Sequence, residues 1–178
     1  MKLRVILPLI LFIGVLVILS RGLKLHPNEV PSPLVNKAGP ALDLPLLFNP
    51  TLRLTDKDLQ KHVTLLNVWA SWCSACAAEH EILLQLAMQE NLIIDGLDYK
   101  DDPAAAKKVL MQSGNPYQKV AMDQTGDVAI NWGVYGTPET FILDKNGIIR
   151  YKQIGPITAA IWQQQLEPLI KKLASETP

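Results

Sequence analysis

Cysteine is almost absent from this chain. Its 178 residues contain two, Cys73 and Cys76. Small domains stapled by disulfides use four or more, so this fold must rest on a hydrophobic core. Net charge is absent too, with 17 Lys and Arg against 17 Asp and Glu. That balance lacks the basic footprint of nucleic-acid binding. No internal repeat or low-complexity tract interrupts the chain beyond one apolar run at its start. After that run comes neither a small-residue cleavage site nor a cysteine for lipoprotein processing.

The apolar run is the first thing present. Val5 to Leu19 carries no polar side chain, with Lys2 and Arg4 before it and Arg21 and Lys24 after it. A spanning helix wants about 20 apolar residues, and long basic side chains at its ends snorkel to the interfaces. We therefore expect residues 1–22 to be an uncleaved transmembrane helix, in preference to a cleaved signal peptide. Residues 23–40 hold Pro27, Pro31, Pro33 and Pro40 and predict a stiff spacer. Residues 41–178 are then one domain, and hydrophobic residues at 48% of the chain suffice for its core. A short basic leader before a single large domain suggests that the domain is exported.

Within the domain, Ala41 to Leu54 predicts a short hairpin broken by Pro45 and Asn49-Pro50. Val63–Ala70 and Leu92–Leu97 are short apolar runs typical of buried strands. Between them, Ile82, Leu83, Leu86 and Ala87 make a helical stripe over Ser74–Gln89. Asp102-Pro103 opens a helix that Gly114 closes. A strand at Val120–Met122 and a short helix at Thr125–Trp132 follow. Strands at Glu139–Asp144 and Ile148–Ile154 flank an Asn146-Gly147 turn, a strong hairpin signal. One helix over Thr158–Ala174 ends the chain. Strands alternating with helices predict parallel βαβ units, and the closing hairpin adds antiparallel strands. The fold class is α/β, a mixed central sheet flanked by helices.

The two cysteines stand where a strand feeds a helix. At a helix N-terminus the Cys73 sulfur faces unpaired amides and the positive dipole end, which stabilise a thiolate. Cys76 lies one turn later and deeper. The reading is a dithiol that cycles with a disulfide, Cys73 attacking and Cys76 resolving. Two alternatives stand beside it. The pair is inert, or Cys73, Cys76 and His80 hold zinc at C-x2-C-x3-H spacing. No second cluster completes a structural metal site, and we expect no metal and no cofactor beyond the Cys73–Cys76 pair. His80 and His62 are expected to be solvated, as is His26.

Strand, Trp72-Cys73-x-x-Cys76 and helix resemble the thioredoxin superfamily. The likeness extends to Gly136-Thr137-Pro138, where such proteins place a cis-proline facing the sulfurs and offer the preceding backbone, here Thr137, to a substrate peptide. A narrower resemblance is carried by several stretches. They are Asn67 to Cys73, Ala78-Glu79-His80, Asp98 to Asp102, Gly114-Asn115-Pro116-Tyr117, Gly133 to Phe141 and Gly147 to Tyr151. These look like the cytochrome c maturation thioredoxins, the CcmG/DsbE family, over about residues 41–175 and including the anchor.

That resemblance implies a thioredoxin-like fold and a thiol-disulfide oxidoreductase held by one transmembrane helix in the bacterial inner membrane, its domain in the periplasm. It implies a reductant of the haem-attachment cysteines of apocytochrome c, or of their mixed disulfides. Electrons would come from a DsbD-type membrane donor, with other cytochrome c maturation proteins as partners. The general thioredoxin Asp is Asn67 here, and the resemblance implies that Glu79 takes its role. Tyr135 and Glu139 would shape a groove with an acidic edge, and Trp72 would shield the sulfurs and help docking. Ser74-Ala75 replaces the family's usual Pro-Thr between the sulfurs, so no reduction potential carries over. A broader reductase of the TlpA/ResA type and a non-catalytic tethered binding module are the other readings.

Overall fold

Strand β3 (Thr64–Trp69) is buried at every residue, as a central strand covered on both faces must be. It organises the domain in this computed structural model, which describes residues 3–22, 32–89 and 92–176. The strand order is β5 (Val120–Asp123), β4 (Ile93–Tyr99), β3, β6 (Glu139–Leu143) and β7 (Ile149–Ile154). β4 pairs parallel with β3, and β5 pairs parallel with β4. β6 lies antiparallel on the other side of β3, and β7 closes that edge as a hairpin. The expected mixed sheet is thus present.

One face of the sheet is packed by α2 (Ser74–Ala87), α3 (Pro103–Ser113) and the C-terminal helix, through Leu83, Leu86, Ala106, Leu110, Trp162, Leu166 and Leu173. The other face carries α4 (Asp127–Asn131) and the small hairpin β1 (Asp43–Pro45) and β2 (Arg53–Thr55), through Ala129, Trp132, Leu42 and Leu54. The Cys73–Cys76 helix therefore starts from the middle of the sheet, at the carboxyl end of β3. Antiparallel pairing of Val68 with Glu139 brings the chain just before β6 to that same end.

The last helix runs without a gap over residues 159–175, close to its predicted range. It consists of α5 (Ala159–Ile161), a π-helical turn (Trp162–Leu166) and α6 (Glu167–Ser175). Pro168 explains the widened turn, because it has no N–H to give the carbonyl one turn earlier.

The chain divides into two units, residues 1–31 and 32–178. In the first, α1 covers Leu3–Gly22. Only some of its side chains are described, among them exposed Leu11, Phe12 and Leu16. Among the described residues, no helix is long and apolar enough to cross a membrane. The expected transmembrane helix is not shown as such. Residues 23–31 of the expected spacer, with His26, lie outside the described residues. Residues 32–40 of that spacer belong to the domain instead. Asn36 N donates to Ile149 O at 2.7 Å, Ile149 N donates to Lys37 O at 2.9 Å, and Ala38 bridges Ile148. Beside the β7 edge the proline-rich segment meets unpaired backbone groups, which capture it.

Candidate active site

Cys73 caps the N-terminus of α2 in an extended conformation, and its Sγ accepts from the Cys76 N–H at 3.0 Å. The two sulfurs form a disulfide. Both cysteines are 7% exposed, so the expected contrast between an outer and a deeper sulfur is absent from this state. Position still separates them. Cys73 sits at the helix mouth, whereas Cys76 lies on the buried face of α2 with Glu79, Leu83 and Leu86.

The loop after β4 braces the cysteine loop. The Asp101 carboxylate accepts from the Ser71 amide and from Ser71 Oγ, the latter at 2.8 Å. Trp72 is 59% exposed, and its indole Nε1 donates to Lys100 O at 3.2 Å. The ring thus stands over the site without belonging to the core. On the other side, the Thr137–Pro138 peptide bond is cis, as expected, and Pro138 O accepts from Gly155 N at 3.0 Å.

Beneath the disulfide face of the sheet is a closed polar network. Glu79 has no exposure. Its Oε1 accepts from Asn67 Nδ2 at 2.9 Å, and its Oε2 accepts from Ile157 N at 2.7 Å. The same Asn67 amide donates to Thr140 Oγ1 at 2.9 Å, while Tyr117 OH donates to Asn67 Oδ1 at 2.8 Å. Burial pushes the Glu79 carboxyl up to about 7, against the two hydrogen bonds that favour its charged form. The Tyr117 phenol is pushed up as well, first by burial and then by the Glu79 and Asp98 charges. Asp98 is fully buried on β4, and burial, followed by the Asp101 charge, raises its carboxyl to about 8. Tyr117, expected only as part of a shared motif, is the unforeseen member. Its one sequence signal is an aromatic with a polar tip beside a strand, which needs a buried partner.

Tyr117 stacks on Trp69 with ring centroids 5.5 Å apart. Together they line a cavity of about 310 Å³ that also borders Cys73, Cys76, His80 and Leu84. Trp69 is core, at the end of the buried strand β3. His80 departs from its expected solvation. It is half-buried, and its Nε2 lies 3.1 Å from Gly114 O and 3.3 Å from Ser113 O at the end of α3. Among the described residues, no three His, Cys, Asp or Glu side chains gather as metal ligands.

Glu139 is a correction. It does not edge a groove with acid, because it is 1% exposed and its Oε2 lies 2.9 Å from Lys152 Nζ. The first residue of β6 faces the sheet interior, and an inward carboxylate needs a countercharge. Tyr135 is 74% exposed, and its amide donates to Glu139 Oε1 at 3.0 Å. Trp72, Tyr135, Thr137 and Pro138 come from segments that converge at the carboxyl end of β3, whereas Glu139 supports that arrangement from below.

Comparison with known proteins agrees with this geometry. Residues 34–166 match the Redoxin family. The chain is 46% identical over 171 residues to the thiol:disulfide interchange protein DsbE of Pseudomonas aeruginosa, covering 96% of this chain and 94% of that relative. It is 39% identical over 183 residues to the thiol:disulfide interchange protein DsbE of Escherichia coli K12, covering 99% and 98%. Among solved structures, a putative DsbE from Chlorobium tepidum superposes with a TM-score of 0.68 at 24% identity, over 79% of this chain and 98% of that one. A thioredoxin from Neisseria meningitidis, described as putative, gives 0.66 at 23% identity, over 78% and 93%. These two superpositions speak for the fold.

Proposed function

Because the chain belongs to the DsbE family of thiol:disulfide interchange proteins, within the Redoxin family, we propose that this thiol-disulfide oxidoreductase works as a reductant in cytochrome c maturation. Its substrates are the oxidised haem-attachment cysteines of apocytochrome c, or their mixed disulfides. The observation that supports a reducing direction is Glu79, a buried carboxyl on the same face of α2 as Cys76. A thiolate is disfavoured beside a carboxylate. Stabilising the reduced thiolate makes a dithiol pair oxidising, so the opposite arrangement favours the disulfide and makes the dithiol a donor of electrons.

The reaction balances on the protein's own groups. The Cys73 thiolate attacks one sulfur of the substrate disulfide and forms a mixed disulfide, and the other substrate sulfur leaves as a thiolate. Cys76 gives its proton to Glu79, attacks the Cys73 sulfur and releases the second substrate thiolate. Two electrons pass to the substrate, and the Cys73–Cys76 disulfide is left behind. A DsbD-type donor would then reduce it. Trp72, Tyr135 and the backbone at Thr137 and Pro138 would hold the substrate peptide as an added strand.

The same reading includes a membrane anchor and a periplasmic domain. Support for the anchor comes from the sequence, where Val5–Leu19 carries no polar side chain, near the roughly 20 apolar residues that a span wants. Basic residues flank it at Arg4, Arg21 and Lys24. Membrane fractions washed with alkaline carbonate should retain the full chain, and release into the wash would overturn the anchor.

Trapping tests the substrate assignment. Cys76→Ala should accumulate a mixed disulfide between Cys73 and apocytochrome c on a non-reducing gel. Recovery of unrelated clients alone would favour a broader reductase and reject the maturation role.

A further inference from the structure

Lys152 lies on β7, cross-strand from Phe141, and its side chain is 2% exposed. A lysine ammonium has three donors and is seldom buried without partners. Here Nζ has Glu139 Oε2 at 2.9 Å and donates to Gly133 O at 2.7 Å. It also lies 4.5 Å from the centre of the exposed Tyr135 ring and 5.3 Å from that of Phe141. Glu139 in turn accepts the Tyr135 amide through its other oxygen. One buried cation thus reaches both ends of the stretch from Gly133 to Glu139. Residues 133–138 of that stretch have no helix or strand and include cis-Pro138, and Glu139 opens β6.

A buried ion pair is weak evidence of stabilisation, because desolvation offsets most of the attraction. Its better use is to specify one arrangement over others.

We propose that Lys152 is a positioning residue for substrate binding: it fixes the 133–139 loop and the Tyr135 ring in the arrangement that a peptide docks against. Lys152 itself touches neither the sulfurs nor the substrate, so its effect falls on binding of a peptide and not on the exchange step. This assignment rests on the proposal that the cis-proline loop is the peptide edge.

The test uses the reduced full chain and two disulfides. One is a synthetic peptide with an internal C-x-x-C disulfide, and the other is bis(2-hydroxyethyl) disulfide, which has no backbone to dock. Lys152→Met alone strands the Glu139 charge, so the decisive variant is Lys152→Met with Glu139→Gln, which removes both charges. For that variant the peptide concentration giving half-maximal oxidation should rise about tenfold, with the limiting rate changed less than about twofold. The small disulfide should lose less than about twofold. Lys152→Arg, which keeps a cation under the loop, should stay within about threefold of the wild type for the peptide.

Wild-type peptide saturation in the double variant would overturn the role, and so would a parallel loss with both disulfides. If the wild type itself shows no saturation with the peptide, the peptide edge is misplaced and the role of Lys152 falls with it. If instead the wild type saturates and the double variant matches it, the peptide edge stands and Lys152 alone is rejected.

Discussion

Asn67 Nδ2 donates to Glu79 Oε1 at 2.9 Å, and neither side chain has any exposure. The central strand and the cysteine-bearing helix are thereby joined by a polar bond beneath the disulfide. An amide can hold and orient this carboxyl but cannot take its proton. Burial raises that carboxyl to about 7, the range in which the proton transfer proposed for it can run both ways.

The first prediction concerns pH. The Glu79 carboxyl rises from 4.5 to about 7 on folding, so between these values the folded protein holds a proton that the unfolded chain releases. The stabilisation from that proton is complete below pH 4.5 and is lost as pH rises through about 7. Glu79→Gln removes this titration. Gln has one acceptor for two donors, so its baseline stability falls. Its loss of unfolding free energy between about pH 4 and pH 9 should be smaller than the wild type's by on the order of 3 kcal/mol. Asp95 and Asp98, also raised by burial, keep part of the slope in both proteins. Urea titrations across pH check this.

Glu79→Gln should also slow the second step of exchange. Without a proton acceptor, Cys76 resolves the mixed disulfide about 10²-fold more slowly. Quenched samples resolved by mass spectrometry should show the mixed disulfide persisting. An unchanged lifetime would remove Glu79 from the mechanism.

Tyr117→Phe deletes the hydroxyl that donates to Asn67 Oδ1. The amide oxygen then stays buried with one donor fewer, at about 1–3 kcal/mol. Chemical denaturation should show a lower midpoint with an unchanged slope. Asn67→Ala breaks three bonds in the same network and should destabilise more than Tyr117→Phe.

Gly96→Ala places a Cβ 3.0 Å from Trp69 Nε1 and 3.0 Å from Tyr117 Cγ. Both rings are packed and cannot swing aside freely. Overpacking of this kind destabilises by about 1–3 kcal/mol. Near-ultraviolet circular dichroism should report the disturbed stack between Trp69 and Tyr117.

Cys73→Ala should abolish reduction of any disulfide substrate, whereas Cys76→Ala should still form the mixed disulfide and stall there. Thiol trapping on non-reducing gels separates the two. Full-rate turnover by Cys73→Ala would defeat the enzymatic assignment.

Much of the fold was legible because its strands are buried runs and its turns carry explicit signals. Val63–Ala70, Asp102-Pro103 and Asn146-Gly147 each state a local preference that the tertiary structure does not oppose. The final helix was legible in extent, and its π-helical turn at Trp162–Leu166 was not, because Pro168 widens a helix as readily as it ends one. Residues 32–40 were assigned to the spacer because proline predicts extension, and an extended segment packs on a sheet edge as readily as it crosses solvent. Glu139 reads as a groove edge in the sequence because nothing near it announces Lys152, 13 positions on along the chain.

Local sequence is enough for the redox pair and for the strand–helix junction that carries it, because these depend on neighbours within a few residues, where spacing sets geometry. The proline opposite is legible only through the resemblance to thioredoxins, since Pro138 is far from the cysteines along the chain. Only the tertiary structure decided which polar groups share a buried environment. Asn67 stands on β3, Glu79 on α2 and Tyr117 in the loop before β5, and Glu139 and Lys152 stand on two paired strands. Each is an ordinary polar residue in the sequence. Burial raises one carboxyl to about 7 and gives another a lysine partner, because removing water leaves every charge to find its partner within the protein.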